Sequence, residues 1–147
     1  MESPPDTPSD SGTDSIEVSD EELVAAAREA AARAYAPYSG FTVGAALVDE
    51  SGRVFTAANV ENSSFGLTIC AERAAVCRAL AEGAGRLVAV AVACNTPNPV
   101  QPCGACRQVL AEFAPRLRVV AAGRGEDFAV VRLDELLPGA FRLDRDA

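Results

Sequence analysis

The sequence predicts a three-layer α/β/α domain with a single five-stranded mixed sheet, and three observations carry that prediction. Helical and strand-like segments follow one another in the order α-β-β-α-β-α-β-β, the succession expected of one sheet with helices on both faces. Leu87–Cys94 is a continuous apolar run of strand length, as a strand covered on both sides requires. The chain of 147 residues, 49% hydrophobic and 23% charged, is the size of one ordinary domain and can bury a core without staples.

Residues 1–18 are rich in Pro, Ser, Asp and Thr and nearly devoid of apolar side chains, so they cannot offset the entropy of ordering. A disordered acidic tail is expected there, with the folded domain over 19–147. Ser19, with Glu22 three residues on, forms a capping box that opens an alanine-rich helix running to about Arg33. Tyr35–Gly40 breaks it. Two strands, Val43–Asp49 and Arg53–Val60, are joined through Glu50-Ser51-Gly52 as a hairpin. A second helix spans about Cys70 to Glu82 and stops at Gly83. After Leu87–Cys94 the loop Asn95–Pro102 holds three prolines, and a third helix starts near Cys103 and ends before Pro115. Arg118–Ala122 and Phe128–Val131 read as the last strands and Leu133–Leu137 as a short final helix. No internal repeat is visible.

Composition excludes several chemistries. With no histidine, lysine or tryptophan, the chain has no histidine base, no histidine metal ligand and no Schiff-base lysine. Of the net charge of −8, residues 1–18 hold five acids and no base, leaving sixteen acids against thirteen arginines in the rest. A near-neutral body with an acidic tail is a poor partner for phosphate backbones, so no nucleic acid is expected. The first residues lack the basic and apolar regions of a signal peptide, and no apolar run approaches the roughly 20 residues that span a bilayer. The expectation is a cytoplasmic protein with reduced cysteines and no membrane partner.

Pro102-Cys103-Gly104-Ala105-Cys106 lies where a loop meets a helix, so the first turn brings both thiols to one side and backbone N–H groups favour thiolate. Alone, a C-x-x-C is open between a metal pair, a redox dithiol and chance. Cys70 opens the other internal helix and changes the balance: three thiols can converge from two helix starts, and three ligands with an open fourth position is the pattern of catalytic zinc. Cys77 lies two turns further along, about 10 Å away, too far to share the ion. Cys77 and Cys94 read as small buried hydrophobes. In Cys70-Ala71-Glu72 the carboxylate stands on the first helical turn, within reach of a water at the metal without being a ligand. With no histidine present, a carboxylate must move the proton. An isolated C-x-E would be a solvated or capping glutamate; thirty residues before P-C-x-x-C it is a candidate proton shuttle.

The stretches Asn59-Val60-Glu61-Asn62, Cys70-Ala71-Glu72-Arg73 and Pro102-Cys103-Gly104-Ala105-Cys106-Arg107-Gln108 resemble the small zinc-dependent cytidine deaminases, over about residues 19–142. The resemblance implies a five-stranded mixed sheet with flanking helices, one zinc per subunit on Cys70, Cys103 and Cys106, and a homotetramer. It implies hydrolysis of cytidine or deoxycytidine to uridine or deoxyuridine and ammonia, with Glu72 as acid and base. Arg73 would hydrogen-bond the zinc thiolates and withdraw their excess charge; Arg107 is a second candidate, equally readable as a surface arginine. Phe41 would pack on the pyrimidine, the Ala71 backbone would contact the base, and Asn59 and Glu61 would hold the ribose. Amide and carboxylate at i and i+2 of a strand share a face, although without context such a pair is simply solvated. Phe65 and Phe141 match aromatics that reach neighbouring active sites in tetrameric members.

Two rival readings share part of the pattern. A related deaminase of another substrate, such as blasticidin S, has the same zinc motifs but does not call for Phe41 with Asn59 and Glu61. A non-catalytic zinc-binding module explains the cysteines and leaves Glu72, Asn59 and Glu61 idle.

Overall fold

The computed structural model describes residues 17–144, so the tail expected before Ser19 lies almost wholly outside the described residues. The capping box forms as the sequence requires: Ser19 Oγ accepts the Glu22 N–H at 3.1 Å, and the Glu22 carboxylate accepts the Ser19 N–H at 2.9 Å. The helix it opens, α1, runs Asp20–Ala31. Val18, the last residue of the expected tail, packs against the core on the α1 side.

Strands β1 (Val43–Asp49) and β2 (Val54–Ala58) form the expected antiparallel hairpin. Asp49 closes it. Its buried carboxylate accepts the Ser51 and Arg53 N–H groups and the Ser51 hydroxyl, and reaches across to the Gly85 N–H at 2.9 Å. The remaining elements are α2 (Ala71–Ala81), β3 (Leu87–Cys94), α3 (Gly104–Phe113), β4 (Arg118–Ala122), β5 (Phe128–Arg132) and α4 (Leu133–Leu136). The strands lie in the order β2-β1-β3-β4-β5, with β3 and β4 parallel and every other neighbour antiparallel. The parallel pair needs a crossover, and α3 supplies it. This is the five-stranded mixed sheet expected, with helices on both faces.

Two cores flank the sheet, and side-chain alternation sorts residues between them. Val43, Ala45 and Leu47 of β1 with Val90 and Val92 of β3 face α2 and α3. Ala46 and Val48 of β1 with Ala89, Ala91 and Ala93 of β3 face α1. The second face is made of small residues because α1 lies close upon it. At Gly44 an added Cβ would sit 1.9 Å from the Ala27 carbonyl oxygen and 2.5 Å from the Ala31 nitrogen. Backbone occupies that space.

The structure departs from the sequence reading after β2. The strand ends at Ala58 rather than Val60, because the chain leaves the hairpin: Val60 makes single bridges to Tyr35 and Ile69 instead. Phe65–Leu67 forms one turn of 3₁₀ helix that no periodicity announced. No helix among the described residues is long and apolar enough to cross a membrane.

Candidate active site

Cys70 and Cys103 are the N-cap residues of α2 and α3, each with extended backbone and neither capping its helix by a side-chain hydrogen bond. Their sulfurs stand at two helix N-termini, whose free N–H groups and dipoles favour negative charge. Cys106, in the first turn of α3, is fully buried. The Sγ atoms of Cys70 and Cys103 are 3.9 Å apart and those of Cys103 and Cys106 3.6 Å, with all three within 4.8 Å of one another. Among the described residues this is the only group of three such side chains so placed. Thiolates on tetrahedral zinc, at about 2.3 Å from the metal, lie about 3.8 Å from each other. The donor set fits zinc, and its three ligands leave a fourth position free.

The Cys106 thiol, with Arg73 alongside, pulls Cys70 down to about 5 against the cost of burial. Cys106 is pushed far up by its bond to Cys70. A metal binding here displaces those protons. The Arg73 guanidinium lies 3.5 Å from Cys70 Sγ and 3.4 Å from the Thr68 carbonyl oxygen. It stands beside the Cys70 sulfur, the place that the resemblance gave it. Arg107 does not: it donates to the carbonyls of Pro102 at 2.7 Å and Leu136 at 2.9 Å, tying the start of α3 to α4.

A cavity of about 220 Å³ opens beside the sulfurs, at the carboxyl end of β3, where parallel strand pairs commonly leave room for ligands. Phe41, Asn59, Glu61, Ala71 and Glu72 line it together with Cys70 and Cys103. Glu72 is 5% exposed, and burial pushes its carboxyl up. Asn59 and Glu61 lie beyond the end of β2, yet the alternation of the extended chain still turns both to the cavity. Both are already engaged. Asn59 Oδ1 accepts the Val43 N–H at 2.9 Å while its Nδ2 donates to the Phe41 carbonyl at 2.9 Å. The Glu61 carboxylate accepts the N–H groups of Tyr38 and Ser39 and the Ser39 hydroxyl, and the hydroxyl bond above all holds its pKa below the usual carboxylate range.

Phe65 and Phe141 are not brought to this cavity. They are 73% and 72% exposed, Phe65 against the Tyr38 ring at 5.9 Å. Thr68, Val100 and Gln101 line the cavity and were not singled out by the sequence. Their place depends on loops: an added Cβ at Gly123 would lie 2.5 Å from the Pro97 carbonyl oxygen, so the 95–102 loop packs directly onto the end of β4. Cys94, read as a buried hydrophobe, is 7% exposed and also on the cavity wall.

Three convergent thiols with an open ligand position, placed at strand ends of an α/β/α sheet, have the pattern of a catalytic zinc enzyme rather than of a structural zinc module. Residues 17–122 match the family model of the cytidine and deoxycytidylate deaminase zinc-binding region. The cytidine deaminase of Halalkalibacterium halodurans is 50% identical over 120 residues, 81% of this chain and 91% of the relative. That of Mycobacterium tuberculosis is 48% identical over 118 residues, 80% and 86% of the two chains. Among solved structures, the cytidine deaminase of Burkholderia pseudomallei superposes with a TM-score of 0.78 at 51% identity, covering 81% of this chain and 96% of that one. The chain belongs to the cytidine and deoxycytidylate deaminase family.

Proposed function

We propose that the protein hydrolyses the 4-amino group of cytidine and 2′-deoxycytidine, releasing ammonia and leaving uridine or deoxyuridine, as a cytoplasmic step of pyrimidine salvage. The observation that carries this reading is a buried carboxylate, Glu72, beside three thiols at the wall of a nucleoside-sized cavity. Zinc held by Cys70, Cys103 and Cys106 supplies a Lewis acid that makes water nucleophilic near neutral pH. Glu72 takes one proton from the attacking water and delivers it to ring N3, then takes the second from the hydroxyl newly bonded to C4 and passes it to the departing amine as the carbonyl forms. A carboxyl raised by burial is suited to both halves of that exchange. Arg73 draws charge from the Cys70 sulfur, and the Ala71 backbone meets the base.

Phe41 packs on the ring, while Asn59 and Glu61 take the sugar hydroxyls with the hydrogen-bonding capacity that their backbone partners leave over. Among the residues lining the cavity the only charged ones besides the thiols are Glu61 and Glu72, both acidic. A 5′-phosphate finds no guanidinium there, which favours the free nucleoside over the nucleotide. The exposed rings of Phe65 and Phe141 suit contacts with neighbouring subunits of a homotetramer, each completing another subunit's site.

The test is loss of cytidine absorbance with and without a chelator, run beside cytidine 5′-monophosphate and cytosine. Rapid, chelator-sensitive turnover of the nucleosides and poor turnover of the other two is the expected result. Monophosphate turnover equal to that of cytidine would overturn the roles given to Asn59 and Glu61.

A further inference from the structure

The segment 38–43, which carries Phe41, has almost no secondary structure of its own, yet its backbone polar groups are met one after another by four side chains, of which the Ser39 hydroxyl accepts the Phe41 N–H at 2.9 Å. Glu61 accepts from the N–H groups of Tyr38 and Ser39. Asn59 brackets the peptide groups after Phe41, donating to the Phe41 carbonyl and accepting from the Val43 N–H, both at 2.9 Å. Asn95 does the same one step earlier: its Nδ2 donates to the Gly40 carbonyl at 2.8 Å and its Oδ1 accepts the Thr42 N–H at 3.2 Å. The Asn95 backbone N–H adds a bond to the Thr42 carbonyl at 3.2 Å.

These two amides extend the sheet by imitation. The register β1 to β3 ends at Val43 opposite Cys94, and the next residue on β3's side is Asn95. There the partner chain turns away at Gly40, whose φ of 73° only glycine adopts freely. A side-chain amide offers the same donor and acceptor as a peptide unit, so Asn95 continues the ladder around the turn. Its orientation follows from chemistry, since only the oxygen can accept from an N–H and only the nitrogen can donate to a carbonyl. Both peptide groups that flank Phe41 are therefore clamped: Asn95, from outside the cavity, holds the Gly40 carbonyl and the Thr42 N–H, and Asn59, from the cavity wall, holds the Phe41 carbonyl.

We infer that Asn95, which does not line the cavity, is a positioning residue that fixes the Phe41 ring as a wall of the nucleoside site. Phe41 touches the base alike before and during the reaction, so loosening it weakens binding more than it slows chemistry. Aspartate at 95 keeps the acceptor for Thr42 and loses the donor to Gly40, so it restores part of the function; alanine loses both.

The test has a kinetic arm, which rests on the cytidine reading, and a spectroscopic arm, which does not. In the zinc-loaded protein, Asn95→Ala lowers kcat/KM for cytidine about tenfold, chiefly through KM, and Asn95→Asp by less. In a Phe41→Leu background the same Asn95→Ala change costs less than about twofold, because the group it positions is gone. The chain has no tryptophan, so Phe41→Trp places a single indole at the site. Adding Asn95→Ala to it raises acrylamide quenching and lowers fluorescence anisotropy. Equal losses of kcat/KM in the two Phe41 backgrounds overturn the inference. If the unmodified protein leaves cytidine intact, the substrate reading fails by itself, and unchanged quenching then overturns the placement of Phe41.

Discussion

At the scale of single residues, the proposed roles separate groups that hold a metal from the group that moves protons. Cys70, Cys103 and Cys106 are in mutual contact, whereas Glu72 contributes a carboxylate to the same cavity from the first turn of α2. Glu72→Gln is expected to keep zinc and fold while kcat falls by about 10²–10⁴ or more, the usual share of a positioned acid and base. Metal analysis beside the cytidine assay checks it; loss of zinc would make Glu72 structural. Cys103→Ala is expected to lose the metal and to melt at lower temperature, because metal binding here is also folding energy. These residues were legible because their spacing is local: Cys70 and Glu72 share one turn, and so do Cys103 and Cys106. The engagement of Asn59 and Glu61 with the 38–43 backbone was not legible. Their partners lie 16 to 23 residues away and are met only through the fold.

At the scale of elements, the hairpin turn and the contact of α1 with β1 each rest on one residue. Burial alone would raise the Asp49 carboxyl, but the N–H groups of Gly85, Arg53 and Ser51, with the Ser51 hydroxyl, hold it down to about 2 from an ordinary 3.8. A depressed carboxyl stabilises the fold at pH above its unfolded value, and that contribution is lost as pH falls from 3.8 toward 2. Asp49→Asn is therefore expected to lower the urea midpoint at pH 7 and to narrow its deficit toward pH 2, a trend that urea titrations across that range will display. Gly44→Ala sets a methyl against the Ala27 and Ala31 backbone, which cannot yield as a side chain would, and is expected to cost about 1–3 kcal/mol or more. The elements themselves were legible from caps and apolar runs, since those signals act within one segment. Where β2 stops was not, because Val60 is drawn from the strand by Tyr35 and Ile69, partners on either side of it in sequence.

At the scale of the whole molecule, one face of the sheet is dense with alanine and carries α1, and the other carries the larger side chains, the two internal helices and the cavity. The apolar run Leu87–Cys94 announced this doubly covered strand, and the structure places it at the centre. The order of the strands around it was beyond the sequence, because pairing of distant segments leaves no local trace. Assembly lies at this scale too. Phe141→Ala is expected to leave the zinc content unchanged and to lower kcat/KM, with light scattering reporting a weakened tetramer. A protein that is monomeric with Phe141 intact would remove the role proposed for that ring.

The two helix caps that meet at the sulfurs lie 33 residues apart in sequence, with β3 between them. Of the three ligands an unfolded chain keeps only Cys103 and Cys106 close together, while the folded chain brings all three sulfurs to one point. Zinc thus binds both states, and its stabilising effect is the difference between a two-point and a three-point grip rather than the full affinity.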